Sequence, residues 1–310
     1  MNKKENMTVR QVAESWKAEK RKYVKRSTMA AYTLSLHKHI MPEFGELGGI
    51  VEDDVQEFVL AKLRDGFSHN TVRDMVALLR MIQRHGEKCG WPACGKWNIK
   101  YPTGHEPTVV PVLAKADQRA LTAHLENDPS PLNIGILVCL YAGLRIGEVC
   151  GLKWGDFNIR RKSLFVRRTV ERIYIVDCDT PHTELTVGPP KTKNSQREIP
   201  IGDGLMNLLK PMSEKAEADH YVLTNGTKPT EPRSYRNHFA RMLKRLGISP
   251  IRFHGLRHSF ATRCIESQCD CKTVSSLLGH ADVSTTLNLY VHPDYDQKLS
   301  CIERMLKHTL

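Results

Sequence analysis

The chain has 310 residues, which is long for a single hydrophobic core and typical of two domains. Its 40% hydrophobic and 26% charged residues are typical of a globular protein and exclude a largely disordered one. Lysine and arginine number 46 against 34 aspartate and glutamate, and the formal charge of +12 favours a polyanionic partner, nucleic acid ahead of an anionic membrane. The polar N-terminus predicts no signal peptide, and the longest apolar run, 134–144, is too short to cross a bilayer. We therefore expect a cytoplasmic protein.

The first hundred residues predict a bundle of helices. Thr8 and Gln11 have the spacing of a capping box, so a helix should open after Thr8 and bury Trp16. A second helix is predicted over 27–40, and Pro42 should stop it because proline cannot continue an interior helical turn.

Two further helices complete the predicted bundle. One starts at Asp53 or Asp54 and ends before Gly66, and the other follows Ser68 and ends near Gly86. Both have apolar residues at helical spacing on one face. Together these helices predict an N-terminal domain over 1–100.

A proline-rich stretch separates this bundle from the rest of the chain. We place a linker over 101–112 and a second domain over 113–310. The second domain should open with a helix at about 115–126, and a fully apolar helix follows at 132–142. Another short helix is predicted just after Gly143.

Strands are predicted only in the middle of the second domain. The short β-type runs are 163–166, 172–176, 184–187 and 198–201. Helices return at Asp203 and continue to the C-terminus, interrupted at 221–224 and by Gly247 and Gly279. The predicted fold is mostly α with a small antiparallel sheet, so the second domain is of the α+β class.

The cysteines do not form a metal-binding pattern. There are nine, an odd number. Cys89 and Cys94 lack a matching second pair, and Cys269 and Cys271 are too close together for a zinc knuckle. We expect reduced thiols and no metal.

Polar residues interrupt otherwise apolar patterns in five segments of the second domain. In chain order these are Ala142-Gly-Leu-Arg-Ile-Gly-Glu-Val149, Pro189-Pro-Lys-Thr-Lys193, His254-Gly-Leu-Arg-His-Ser-Phe-Ala-Thr262, Leu277-Leu-Gly-His280 and Thr285-Thr-Leu-Asn-Leu-Tyr-Val-His292. As an ordered set over 112–310, they resemble the phage integrase, or tyrosine recombinase, family. The first domain resembles the family's helical, SAM-like core-binding domain only in its size and in its helical, basic sequence pattern.

The resemblance implies a catalytic set that breaks a phosphodiester without metal. Arg145 and Arg257 take the family's positions for guanidinium groups that hold the phosphate oxygens. His254 lies one helical turn before Arg257 and can bond the same phosphate or move a proton. His280 is the second histidine position, and Tyr290 is the nucleophile. Singly, each of these residues is more typical of a structural role, and only their joint occurrence indicates a site.

Two supporting positions are also implied. Lys191 matches the mobile β-hairpin lysine that acts as general acid, and Lys193 competes for that role. Glu148 matches the acidic residue that orients the active-site donors. Gly255 stands where the family often has aspartate, a change expected to loosen helix packing. His258, next to Arg257, is expected to be structural.

By this resemblance, the protein is an integrase that cuts and rejoins duplex DNA at attachment sites of a phage or other mobile element. Neither ATP nor a cofactor is required, because a 3′-phosphotyrosyl bond conserves the bond energy. Four protomers should assemble on DNA and exchange C-terminal helices, with an excisionase or host DNA-bending factor as further partners and no membrane. We expect the protein to be associated with the bacterial nucleoid and to have no arm-binding domain ahead of the bundle.

Three other functions fit parts of the pattern. A chromosome-dimer resolvase or DNA invertase uses the same chemistry, although the long strand region at 163–201 favours an integrase. A DNA-binding regulator without catalysis would have lost at least one catalytic residue. A type IB topoisomerase would act as a monomer and relax supercoiled DNA without a specific site.

Overall fold

The structure is a computed structural model that describes residues 7–93, 95–102, 111–176, 180–190 and 193–290, together with 295, 299, 302, 303, 305 and 306. For 193 and 288–290 it describes the backbone only. The chain forms two compact units, one of Met1–Pro107 with Arg172–Glu184 and one of Thr108–Glu171 with Leu185–Leu310. Most of the predicted linker lies outside the described residues, and the predicted domain boundaries stay a prediction.

The described part of the first unit contains the four predicted helices and a further short one, α3. They are α1 (Val9–Lys20), α2 (Arg26–Ser35), α3 (Met41–Phe44), α4 (Glu52–Arg64) and α5 (His69–Lys88). The capping box is present, since the Thr8 backbone N–H donates to Gln11 Oε1 at 3.0 Å and the Gln11 N–H donates to Thr8 Oγ1 at 3.4 Å. Ser68 caps α5 in the same way, accepting from the Thr71 N–H at 3.2 Å.

The prediction that Pro42 stops the second helix is wrong. A π-helical turn, Leu36–Ile40, follows α2 and leads directly into α3, which contains Pro42 in its first turn. The N–H groups of a first turn have no partner within their own helix, so proline is tolerated there. The chain therefore stays helical as far as Phe44, which is buried.

The helix α5 ends near Gly86 as predicted, at Lys88, and Gly86 itself lies inside it. A Cβ atom at this position would come within 2.1 Å of the Trp91 ring. Trp91 in turn donates from Nε1 to the Met7 carbonyl at 3.0 Å. Gly86 is therefore needed for a close approach of the indole to the helix, and the helix continues to Lys88.

The second unit contains the remaining helices. They are α6 (Lys115–Asn127), α7 (Pro131–Ala142), α8 (Ile146–Cys150), α9 (Asp203–Ser213), α10 (Pro232–Arg245), α11 (His254–Glu266), α12 (Cys271–Leu278) and α13 (Val283–Tyr290). The predicted apolar helix is α7, which is buried on nearly all sides and packs against α11. None of the described helices is both long and apolar enough to span a bilayer.

The strands form two small sheets where one was predicted. β1 (Phe157–Asn158), β2 (Ser163–Val166) and β5 (Arg197–Pro200) make an antiparallel sheet in the order β1-β2-β5. β3 (Thr169–Ile175) and β4 (His182–Gly188) pair separately. The predicted class, mostly helical with small antiparallel sheets, is confirmed.

Candidate active site

Arg145 lies where α7 ends and α8 begins. Gly143 caps α7 in the left-handed conformation, with a φ of 63°, and this turns the chain towards α8. The Arg145 N–H donates to Glu148 Oε2 at 3.0 Å, and its guanidinium Nη1 donates to Glu148 Oε1 at 2.8 Å. The Arg145 side chain remains 36% exposed, so its guanidinium can reach a ligand from solution.

Glu148 is held by a second arginine that the sequence analysis did not identify. Arg197 Nη1 and Nη2 donate to the two Glu148 carboxylate oxygens at 3.2 and 3.1 Å. Arg197 Nε also donates to the Leu277 carbonyl at 2.6 Å. Burial alone would raise the pKa of Glu148, but the charges and hydrogen bonds of Arg197 and Arg145 outweigh it and lower that pKa. The carboxylate is therefore ionised.

The signal that could have found Arg197 is strand alternation. Successive side chains of a strand point to opposite faces, so Arg197 shares a face with Ile199, which is buried. An arginine on the buried face of a strand needs an anionic partner. Such a position predicts an internal ion pair, although the sequence does not say with which carboxylate.

Arg257 is almost fully buried, with 1% of its surface exposed. Its Nη1 donates to the Gly143 carbonyl at 2.8 Å and its Nη2 to the Leu278 carbonyl at 2.8 Å. These carbonyls lie at the C-terminal ends of α7 and α12, where the helix dipoles are negative. Arg257 therefore connects three helices around the place where Arg145 lies.

His280 follows directly after the glycine that ends α12. Gly279 has a φ of 66°, and its carbonyl accepts from Arg145 Nη2 at 3.5 Å. His280 Nδ1 is hydrogen-bonded to Thr286 Oγ1 at 2.8 Å, and Thr286 is fully buried in α13. Burial, followed by the charges of Arg257, Arg145 and Arg197, lowers the pKa of His280 to about 4.

His254 opens α11 one turn before Arg257. Partial desolvation and the charges of Arg257 and Arg145 lower its pKa, so the imidazole is neutral near pH 7. Its ring makes an edge contact with His258, with 4.5 Å between the centroids. Burial, His254 and Arg257 lower the pKa of His258 to about 4.

The site thus carries more positive than negative charge. Arg145 and Arg197 bind one carboxylate, that of Glu148, and the buried Arg257 adds a third cation. Burial, together with these charges, keeps two histidines neutral. An anion with several oxygens, such as a phosphate diester, would accept from the exposed donors and relieve this repulsion. The arrangement is suited to binding phosphate and to stabilising charge that develops on it.

Two predicted site residues are described only in part or not at all. The backbone of Tyr290 ends α13, the helix that also supplies Thr286 to His280, but its side chain lies outside the described residues. Lys191 lies outside them entirely, and Lys193 opens a short 3-10 turn, Lys193–Ser195. The roles of all the site residues stay predictions.

Gly255 does not loosen the packing of α11, contrary to expectation. A Cβ atom there would come within 2.9 Å of Ile251 Cδ1 and 3.0 Å of the Pro111 carbonyl oxygen. The glycine therefore permits close packing, and an aspartate would require one of these groups to move.

Comparison with known families gives two matches in chain order. The model described as "Phage integrase, N-terminal SAM-like domain" matches residues 8–59, and that described as "Phage integrase family" matches residues 111–297. The second match contains every predicted catalytic residue. The match begins at residue 111, close to Thr108, where the second compact unit begins.

Among characterised relatives, a "Tyrosine recombinase XerC-like" protein of Caldanaerobacter subterraneus is 27% identical over 305 residues, covering 92% of this chain and 75% of the relative. The "ICEBs1 integrase" of Bacillus subtilis is 28% identical over 166 residues, covering 50% of this chain and 43% of the relative. Both come from bacteria.

Solved structures share the fold. The Tn1549 transposon integrase in complex with transposon right end DNA gives a TM-score of 0.78 at 20% identity, covering 97% of this chain and 100% of that one. A lambda integrase dimer bound to a core site gives 0.65 at 17% identity, covering 92% and 96%. At these identities the likeness concerns the fold alone.

Proposed function

Because the chain belongs to the phage integrase family of tyrosine recombinases, we propose that it integrates and excises a mobile element through a covalent bond between DNA and Tyr290. Arg145, His254, Arg257 and His280 would hold the scissile phosphate. Glu148 would position Arg145 without touching the substrate.

One observation supports these assignments most strongly. Glu148, on α8, accepts from Arg145 and from Arg197, and the Gly279 and Leu278 carbonyls next to His280 accept from Arg145 and Arg257. Residues far apart in sequence are thereby fixed around one point. The cations there exceed the anions, as a site for a phosphate diester requires.

The proposed reaction is a pair of transesterifications. The Tyr290 hydroxyl oxygen attacks phosphorus while His254 accepts the hydroxyl proton. The bond from phosphorus to the 5′-oxygen breaks, and a 3′-phosphotyrosyl ester forms. Lys191 protonates the leaving 5′-oxygen, with Lys193 as the competing donor. The freed 5′-hydroxyl of another strand then attacks the phosphotyrosine and restores Tyr290. A phenol with a pKa of about 10 is a good leaving group in this second step.

We propose that four protomers act together on two DNA sites, in the cytoplasm and at the nucleoid. Apolar side chains near the C-terminus support exchange between protomers, because Leu299, Ile302 and Met305 are 44, 54 and 52% exposed. An excisionase or a host DNA-bending factor would set the direction of recombination. The domain limits 1–100, 101–112 and 113–310 belong to the same proposal.

Chromosome-dimer resolution is the second candidate, because the relatives that match most of this chain are named tyrosine recombinases rather than integrases. The two functions use the same chemistry on different sites. Deleting the gene separates them. Filamentous cells with unresolved chromosome dimers would indicate a resolvase, whereas an element that can no longer excise would indicate an integrase.

The covalent step is tested with Tyr290→Phe on a nicked suicide substrate that carries the element's end. The variant should bind the DNA as the unchanged protein does and form no covalent adduct on a denaturing gel. Tyr295→Phe is the matched control, because Tyr295 is 76% exposed and close in sequence. An adduct of normal yield from Tyr290→Phe would refute the assignment.

A further inference from the structure

The helix α11 ends in a hydrogen-bonding pattern that brings two cysteines together. The Cys269 N–H donates to the Cys264 carbonyl at 3.0 Å, and the Gln268 N–H donates to the Ile265 carbonyl at 2.9 Å. Gln268, with a φ of 63°, has the left-handed conformation. These features define a Schellman motif, with Cys264 in the last helical turn and Cys269 as the second residue beyond the cap.

In a Schellman motif, the side chains at these two positions usually make an apolar contact. Here both positions are cysteines, so the motif holds two thiols where an apolar contact usually forms. Cys269 is exposed and Cys264 is half-buried, so a small molecule in solution can reach the pair. Cys139 and Cys150, by contrast, are buried in the core.

We propose that Cys264 and Cys269 form a reversible disulfide by exchange with a low-molecular-weight disulfide such as glutathione disulfide. The Cys269 thiolate attacks one sulfur of glutathione disulfide and releases one glutathione. The Cys264 thiolate then attacks the Cys269 sulfur of the mixed disulfide and releases the second. The two cysteines lose two protons and two electrons, and these reduce glutathione disulfide to two glutathione molecules.

The surroundings of the two thiols set the order of these steps. Cys269 is the exposed thiol and meets the oxidant first. Burial and the neighbouring Cys269 raise the pKa of Cys264 to about 11, so few Cys264 side chains are thiolates near neutral pH. Closure of the mixed disulfide requires the Cys264 thiolate, so its rate should rise as the pH is raised.

The disulfide would fix the connection between α11 and α12. Arg257 lies on α11, and its Nη2 donates to the Leu278 carbonyl at the end of α12. Residues 267–270 join these helices, so the bond would restrict a loop that connects two parts of the phosphate site. This inference stands on the backbone geometry of the Schellman motif and does not depend on the proposed recombination activity.

The test is to incubate the full-length protein with glutathione disulfide, block free thiols with an alkylating reagent, and digest with trypsin and a glutamate-specific protease. Cleavage after Glu266 separates Cys264 from Cys269, so the disulfide leaves two peptides joined. We expect this joined pair, with Cys271 alkylated, and its loss on reduction with dithiothreitol. A pair joined through Cys271, or Cys264 and Cys269 both alkylated, would overturn the proposal.

Variants and unfolding provide the controls. Cys271→Ser should leave the joined pair unchanged, whereas Cys264→Ser and Cys269→Ser should abolish it. In concentrated urea the selectivity for Cys264 and Cys269 should disappear, because the Schellman motif no longer holds them together. Equal selectivity in folded and unfolded protein would show that sequence proximity, and not the fold, determines the bond.

Discussion

Burial, together with the cations around them, keeps the histidines of the site neutral, and this predicts how stability depends on pH. His280 has a pKa lowered from 6.5 to about 4, and His258 likewise. Between about pH 4 and pH 6.5, these two histidines bind protons in the unfolded chain but not in the folded protein. The free energy of unfolding should therefore fall as the pH is lowered from about 6.5 towards 4, and it should be unaffected by these groups at higher pH.

NMR titration of the imidazole signals measures this directly. In the free protein His280 should titrate near pH 4. A bound DNA phosphate should raise its pKa, because the anion offsets the charges of Arg257, Arg145 and Arg197. His280→Gln should remove part of the pH dependence of unfolding. A midpoint near the ordinary value in the free protein would contradict the charge imbalance inferred for the site.

The buried ion pair of Arg197 and Glu148 stabilises the site, because Glu148 also binds Arg145. Their side chains are only 6 and 2% exposed. Arg197→Met should lower the free energy of unfolding by about 3–5 kcal/mol, because it leaves a buried carboxylate with one partner fewer. The double variant with Glu148→Gln should lose less than the sum of the two single changes. Urea unfolding of the four proteins gives the coupling.

Arg161→Met is the control for that measurement. The Arg161 side chain is 71% exposed, and its Nε lies 3.9 Å from Glu198 Oε1. Its removal should therefore lower the free energy of unfolding by only about 0–1 kcal/mol.

If Arg197 also positions Arg145, Arg197→Met should slow cleavage while binding of site DNA is kept. Equal losses of binding and cleavage would assign Arg197 a purely structural role.

Among the elements, the C-terminal segment exposes several apolar side chains. Leu299, Ile302, Met305 and Leu306 are 44, 54, 52 and 45% exposed. Their spacing puts them on one stripe of a helix, and exposed apolar stripes mark interaction sites. Ile302→Asp with Met305→Asp should therefore weaken assembly of several protomers on DNA in native gels. Binding of a single protomer should be unchanged.

Glu303→Gln is the matched control, because Glu303 is exposed beside the stripe and apolar contacts do not need it. The alternative partner of the segment is its own domain. In that case the double variant would lower the melting temperature of the free protein and leave assembly unchanged. The two readouts therefore distinguish exchange between protomers from docking within one.

How far the sequence predicts these elements depends on whether local residues determine them. The capping residues Thr8 and Ser68 and the cap glycines 143 and 279 act within a few residues, and their helix ends were predicted correctly. Pro42 was misinterpreted, because a π-helical turn continues the helix into α3. Arg197 was missed for a related reason: its partner lies 49 residues away.

For the whole molecule, the excess of 46 basic over 34 acidic residues is spread along both units rather than confined to one tail. Contacts to many phosphates release condensed counterions, so DNA affinity depends on salt in proportion to their number. If about 6–10 phosphates are contacted, the logarithm of the association constant should fall with the logarithm of salt concentration with a slope of roughly −5 to −9. Fluorescence anisotropy with a labelled duplex measures it.

The same titration separates the proposed enzyme from proteins that are basic for other reasons. A duplex with the element's site and one with a scrambled site should give similar slopes, because phosphate contacts carry no sequence information. The site duplex should bind tighter at every salt concentration, by about 10³-fold or more, through contacts to bases.

An affinity that does not change between about 50 and 200 mM salt would instead assign the excess charge to solubility. Equal affinity for both duplexes, with relaxation of supercoiled plasmid lacking any site, would indicate a topoisomerase instead.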